Sequence, residues 1–300
     1  MSGVRFSLRQ LEYFVVVAEV GTLSGASEVL RVSQPGLSQA LGDLERALGV
    51  QLAVRRKAHG VTLTPTGTQV LQYARDLLRR AEDLESIAAG GDTLAGTLSV
   101  GCYVTLAPTA LPPLMQEFCE IHPGVTIDFV EGTQDVLQKR LRQGELDLAI
   151  LYDMAVDPEM ERTVISAVRP HVLLPADHRF ADAVEVSLAD LADEPCVQFD
   201  APPSWTNTYR IFEQAGVVPN VRYRPTSFEM TRALVGRGMG YAVLVQRPEN
   251  DRTYEGRPLV IKEIAEEVRE ERILVAWPRS MTLHRRAQAF VDFCRERHAR

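Results

Sequence analysis

Apolar residues recur at helical spacing from the start of the chain, and glycine and hydroxyl side chains punctuate the repeats. In "LRQLEYFVVVAEVG", Leu11, Phe14, Val15 and Ala18 fall at i, i+3, i+4 and i+7, and Gly21 supplies a C-terminal stop. "TLSGASEVLRV" offers Thr22 or Ser24 as an N-cap and turns Leu23, Ala26 and Leu30 inward, so a short second helix ends near Arg31 and Val32. Ser33 then caps a third helix with Gln34 and Pro35 in its first turn, where the missing proline N–H does no harm. Leu37, Leu41, Leu44 and Leu48 line one face of this helix. The opposite face carries Pro35, Gln39, Gly42 and Arg46, with Ser38 at its border.

After Gly49, "VQLAV" and "GVTLT" read as two short strands around the basic turn Arg55, Arg56, Lys57, Ala58, His59, Gly60, the outline of a wing. Thr64 and Pro65 open a long helix in which Val70, Tyr73, Leu77, Leu84 and Ile87 recur at heptad-like intervals, interrupted by Arg80. That stripe is too narrow to cover a core and suits self-association. "GGDTLAG" after it reads as a hinge.

From residue 96 short apolar strands alternate with helices: "TLSVG", "APTALPPLMQEFCEIH", "VTIDFVE", "QDVLQKRLRQG" and "LDLAILY". This order predicts a parallel α/β sheet. The pattern resumes in "PCVQFD", "NTYRIFEQAG", "VRYR", "FEMTRALVGRG" and "GYAVLV", which gives a second lobe. "RILVAW" and a helix around Ala287 to Arg297 return to the first lobe, with crossings near Thr163 to Val168 and Glu267 to Arg269. The predicted units are residues 1–65, a helix over 66–90, lobe I over 91–165 with 268–300, and lobe II over 166–267.

A length of 300 residues with 45% hydrophobic and 24% charged side chains fits a globular protein of two or three domains. No apolar h-region or membrane-length run occurs, so a cytoplasmic location is expected. Cys102, Cys119, Cys196 and Cys294 form no CxxC pair, and neither a metal nor a cofactor is implied. The net charge of −7 is uneven: residues 1 to 65 hold two more cations than anions, and the remainder carries −9. Any nucleic-acid surface is therefore small and N-terminal.

Two short helices in a tight turn, the second presenting Ser, Gln and Pro at its N-terminus, match a helix-turn-helix that enters the major groove N-terminal end first. Gln34 and Gln39 can present paired donor and acceptor groups to adenine edges; Ser33, Ser38 and first-turn amides can bond phosphate. With Pro35, Arg46, Arg55, Arg56, Lys57 and Thr64, these residues form the expected surface for double-stranded DNA. In the two-lobed part, ligands are expected beyond strand carboxyl ends and at helix N-termini. Cys102, Tyr103, Thr105, Thr133, Gln134, Phe199, Asp200, Ser204, Thr226, Ser227 and Phe228 fall there. Hydroxyls and helix dipoles suit a small anion, whereas Asp200 suits an amine, leaving an anionic or a zwitterionic metabolite. An enzyme on the same fold would need an acid–base pair, a nucleophile or a cofactor loop, and no such constellation presents itself.

"LRQLEYFVVVAEVGTLSGASEVLRVSQPGLSQALGDLERALGVQL" followed by "VTLTPTG" resembles the N-terminal region of LysR-type transcriptional regulators, and "PGVTIDFVEGTQDVLQKRLRQGELDLAI" resembles the start of their regulatory domain. The resemblance implies a winged helix-turn-helix, a dimerising linker helix and a two-lobed effector domain like type 2 periplasmic binding proteins. It further implies a homodimer or homotetramer, with RNA polymerase as a further partner. One branch of that family senses peroxide through paired cysteines in its second lobe, which is an alternative function; here Cys196 is alone in that lobe. Two departures stand out. Ala53 occupies a position where the family favours Phe, and Gly42 one where a basic side chain is common. Gly42 costs about 1 kcal/mol of helix propensity relative to Ala, so either DNA backbone comes close there or a base contact has been given up.

Overall fold

The computed structural model describes residues 3–56, 60–88 and 94–298, without the side chains of Arg56 and Ser86. Helix α1 (Leu8–Val20) begins in a capping box between Ser7 and Gln10 and ends at Gly21, whose φ of 74° is left-handed. Thr22 accepts from the Gly25 N–H to start α2 (Leu23–Leu30), and Arg31, with φ 53°, makes the turn. Ser33 accepts from Gly36 at 3.2 Å to start α3 (Gln34–Leu48). Leu11, Phe14, Val17, Ala26, Leu37, Leu41 and Leu44 close the core of this head. Val17 takes the buried position on α1; Val15 and Ala18 are only partly covered.

Strands β1 (Ala53–Arg56) and β2 (Gly60–Leu63) pair antiparallel, Ala53 opposite Leu63. The wing presses on the α1–α2 turn: Val61 N–H donates to Gly21 O at 2.7 Å, and a Cβ on Gly60 would stand 2.3 Å from the same carbonyl. Helix α4 (Pro65–Ala88) sends Leu71 and Ala74 into the head core, joined by Val70 at its margin. Tyr73, Leu77, Leu84 and Ile87 are 69%, 42%, 67% and 54% exposed, an apolar stripe with no partner among the described residues of the single chain. Of the expected hinge, Gly90 to Thr93 lie outside the described residues.

The rest of the chain runs β3 (Ala95–Tyr103), α5 (Ala107–Ile121), β4 (Gly124–Gly132), α6 (Gln134–Arg142), β5 (Leu148–Tyr152), β6 (Met160–Val168), β7 (His171–Pro175), β8 (Glu185–Val186), β9 (Pro195–Val197), α7 (Ser204–Gln214), β10 (Asn220–Tyr223), α8 (Phe228–Gly236), β11 (Ala242–Leu244), β12 (Leu259–Ile264), β13 (Glu271–Pro278) and α9 (Arg285–His298). Lobe I is the sheet β4-β3-β5-β13-β6; lobe II is β11-β7-β12-β8, extended to β9 and β10 by a parallel bridge between Cys196 and Tyr241.

The strands read from the sequence as alternating with helices are parallel as expected, β3 with β4 and β5 and β9 with β10, but both sheets become mixed through the strands added to them. In lobe I, β3 is parallel to β4 and β5, but β13 returns antiparallel to β5 and β6. In lobe II, β7 lies antiparallel to both β11 and β12. A strand that re-enters a lobe after a long excursion need not obey the right-handed parallel crossover that consecutive βαβ units impose. The first crossing is displaced, and the second lies where it was expected. Strand β6 stays with lobe I through Val168, opposite Glu271, so the chain crosses at residues 169–170 and again at 265–270.

Candidate functional site: a reading head and an interlobe cleft

On α3, Gln34, Pro35 and Gln39 are exposed over the buried Leu37–Leu41–Leu44 face, with Ser38 half-buried beside them. Side chains bound to nothing else can be offered to base edges. Ser33 is exposed, and its oxygen already caps the helix. Arg55 reaches back from β1 to α3: one guanidinium nitrogen bonds the Ser38 hydroxyl and another donates to Ser38 O at 3.2 Å. Ser38 and Arg55 thus form one unit that fixes the wing against the reading helix. Arg46 is exposed and paired with Asp43, a carboxylate that competes with phosphate for its guanidinium.

Thr64 does not face outward as a DNA contact. Its hydroxyl donates to Gln51 O at 2.8 Å and accepts from Gly67 N–H at 2.9 Å, so its single proton, the one a phosphate would need, is committed to the wing-to-α4 junction. Lys57 lies outside the described residues, as does the Arg56 side chain. Glu45 is a residue that the sequence pattern did not single out. Its carboxylate accepts the Leu52 and Ala53 N–H groups at 2.8 and 3.1 Å, setting where the wing leaves α3. An acid in the last turn of a helix, opposed to the dipole there, was the available signal.

In the effector lobes, Thr105, Phe199, Ser204 and Phe228 meet at an inner cavity of only 20 Å³, together with Tyr152, Thr208, Val243, Leu244, Val245 and Gln246. A second cavity of 440 Å³ shares Thr105 and Phe228 with it and is lined also by Thr226, Ser227, Glu131, Glu229, Arg232, Arg252 and Tyr254. Direct bonds hold the lobes together: Tyr103 OH lies 2.9 Å from Ser204 Oγ, and Gln246 Nε2 donates to Thr109 Oγ1 at 2.5 Å. Tyr152 OH donates to Gln246 Oε1 at 3.3 Å. Helices α5 and α7 both begin at this cleft without a side-chain cap, which leaves first-turn N–H groups for water or a ligand.

Several expected cleft residues are elsewhere. Cys102 is fully buried in the lobe I core, its thiol pushed up by burial and by the nearby Glu131 charge. Gln134 is 2% exposed and donates to the carbonyls of Tyr152, at 3.1 Å, and Met154, so it ties α6 to β5. Thr133 bonds the Asp135 side chain, and this hydrogen bond holds the Asp135 carboxyl below its usual range. Asp200 lines neither cavity; its N–H donates to Pro225 O at 2.8 Å. Cys102 belongs to the core of strand β3, and Thr133, Gln134 and Asp200 are used at helix starts or loops inside their own lobes. Tyr152 and Gln246, absent from the expected set, follow the same rule that selected Thr105, since both stand at strand carboxyl ends.

Known proteins share this architecture. Residues 8–68 match the family model described as bacterial regulatory helix-turn-helix protein, lysR family, and residues 91–299 match LysR substrate binding domain. The chain is 39% identical to the crystal structure of HinK, a LysR family transcriptional regulator from Pseudomonas aeruginosa, covering 98% of this chain and 99% of that one with a TM-score of 0.66. A full-length OxyR variant from the same organism superposes with a TM-score of 0.77 at 26% identity, over 97% and 95% of the two chains. The Hca operon transcriptional activator HcaR of Escherichia coli is 30% identical over 90% of this chain and 91% of its own. A helix-turn-helix head, a linker helix and a two-lobed substrate-binding domain in that order, matched along almost the whole length, place this chain in the LysR family of transcriptional regulators.

Proposed function

We propose that the chain binds a promoter operator through α3 and the wing, as an oligomer paired along α4, and responds to a small carboxylate held between lobes I and II. The observation that carries the reading is the pairing of an exposed Gln34–Pro35–Gln39 face with an arginine, Arg55, that braces the wing on that same helix. Unpaired amides suit base edges, and braced cations suit phosphate. The exposed α4 stripe supports pairing of two heads, since burying four apolar side chains at heptad spacing stabilises a helix pair.

A carboxylate is favoured over a zwitterion because Asp200 lines neither cavity and no ionised side chain lines the inner one. Its hydroxyls and the uncapped starts of α5 and α7 are donors that suit an anion. The inner cavity is too small for a metabolite, so a ligand that enters it has to part the Gln246–Thr109 and Tyr103–Ser204 contacts. A peroxide-sensing thiol is disfavoured: burial pushes the Cys196 and Cys294 thiols up to about 12, away from the reactive thiolate. The reading invokes no catalytic step and places RNA polymerase as the partner of the DNA-bound form.

Selection of bound duplexes from a random pool tests the first half. The account expects a recurring, two-fold related site, and unselected recovery would contradict it. A thermal-shift screen of small carboxylates tests the second half, because a ligand at 100 times its Kd adds about 2.7 kcal/mol to stability.

A further inference from the structure

One face of α7 docks lobe II on lobe I. Ser204, Asn207 and Thr208 recur at i, i+3 and i+4 along its first two turns. Ser204 meets Tyr103, and Thr208 lines the inner cavity with Tyr152. Asn207, 2% exposed, lies beside Glu271, the first residue of β13, where the second crossing enters lobe I. Glu271 is itself only 5% exposed, and the cation paired with it is Arg210 of α7, whose Nη2 lies 3.7 Å from Glu271 Oε1.

That contact is incomplete. A separation of 3.7 Å is too long for a hydrogen bond, and Arg210 Nη2 instead donates to Asn207 Oδ1 at 2.5 Å. The buried Asn207 Nδ2 has no hydrogen-bond partner among the described residues. A buried carboxylate short of donors therefore faces, across the lobe boundary, a buried amide short of an acceptor, and each shortage costs free energy. Lobe I offers no remedy of its own. Asp153, at the end of β5, repels Glu271 and is paired with Arg162 at 3.2 Å, while Tyr152 of β5 faces it as a neutral phenol. Arg269 of the crossing also acts on it, from an exposed position. Burial first, and Asp153 with it, raise the Glu271 carboxyl, and Arg210, Arg269 and Asn207 offset only part of that rise.

We propose that Glu271 is a positioning residue for the effector cleft: by drawing Arg210 and Asn207 of α7 toward β13, its charge sets the resting angle between the lobes. Because Ser204 and Thr208 share the docked face of α7, the same movement reshapes the inner cavity. Its use in regulation rests on the interlobe effector proposed above, whereas the resting angle is measurable with neither ligand nor DNA.

The test is pulsed electron paramagnetic resonance on the full chain, with doubly labelled protein diluted in unlabelled protein so that distances within one chain dominate. In a Cys119→Ser background the labels sit at Gln116→Cys in lobe I and Val218→Cys in lobe II, both exposed sites. In this parent the mean distance should shift between neutral pH and about pH 5, as the carboxylate takes up a proton, with the far-ultraviolet circular dichroism unchanged. Glu271→Gln, which keeps the shape and loses the charge, should show the acid distance already at neutral pH and lose the pH response. Arg210→Gln, at a half-exposed site, should move the neutral distance in the same direction, and it decides the matter should Glu271→Gln fail to fold. A parent distance that ignores pH, a pH response that survives in Glu271→Gln, or an Arg210→Gln protein that keeps the parent distance overturns the proposal. The screen of carboxylates and the selection of an operator succeed or fail independently of these results.

Discussion

The reading head and the effector cleft are built on opposite plans. Every described residue of the head's outer face comes from one stretch, residues 33 to 55, and each is placed by its own helix or by a wing a few residues away. The cleft collects Thr105, Tyr152, Phe199, Ser204, Phe228 and Gln246 from element ends spread across both lobes. A local surface is preformed as soon as its helix folds. A cleft assembled from two lobes exists only once both have docked, and its shape changes with their angle. The head can therefore stay constant while the cleft answers to a ligand, provided something transmits the angle.

The largest effect should separate pairing from reading. Leu77→Asp with Leu84→Asp is expected to lower operator affinity by roughly 10²–10⁴-fold, since two linked half-sites are lost together. Binding to a single half-site should change little, and a double variant that sediments as the parent dimer would show that the stripe is not the interface. Next in size is Asp147 in lobe I, 3.1 Å from Arg79 of α4 and 3.2 Å from His284. Burial alone would raise the Asp147 carboxyl, but His284, Arg79 and the Ser99 N–H together hold it below the usual carboxylate range. A depressed carboxyl stabilises the fold above its unfolded pKa and loses that contribution as pH falls through the folded value. Asp147→Asn should cost about 3–5 kcal/mol near neutral pH, and in urea melts the gap to wild type should close on acidification. A gap independent of pH would remove Asp147 from the account.

A smaller effect tests the brace. Arg55→Ala should weaken cognate and random DNA alike and lower the salt slope by roughly one unit for each phosphate that Arg55 neutralises. An effect confined to the cognate site would make Arg55 a reader. The smallest concerns Gly42, where a Cβ would meet open space on α3, so no packing within the chain requires glycine. Gly42→Ala should raise stability by about 0.5–1 kcal/mol. Weaker operator binding alongside that gain would mean that DNA backbone comes close at this position, and unchanged binding that a base contact was simply given up.

The same contrast explains what could be read from the chain. Gly21, Thr22 and Ser33 are caps whose chemistry acts on the next few residues, so helix boundaries in the head emerged from sequence directly. In lobe II, "HVLLP" and "LVIKEI" gave no strand signal although β7 and β12 are its central strands. The first is buried on both faces, so it shows no alternation. The second is half-buried along its middle, where Lys262 and Glu263 follow one another on opposite faces and break the apolar run. Strand ends pointed to Thr105, Ser204 and Ser227, which line the two cavities, but the rule cannot tell a polar side chain that faces the cleft from one bonded within its own lobe. Thr133 and Gln134 show that failure.

The central claim is that the outer face of α3 reads bases. Gln39→Ala, titrated on the selected operator, on single-base variants of it and on random duplex, tests that claim most directly. The account predicts a cost of about 1–3 kcal/mol on the operator, relaxed preference at one base pair in each half-site, and little change on random DNA. A response that is flat across the operator variants, or equal on random duplex, would contradict it.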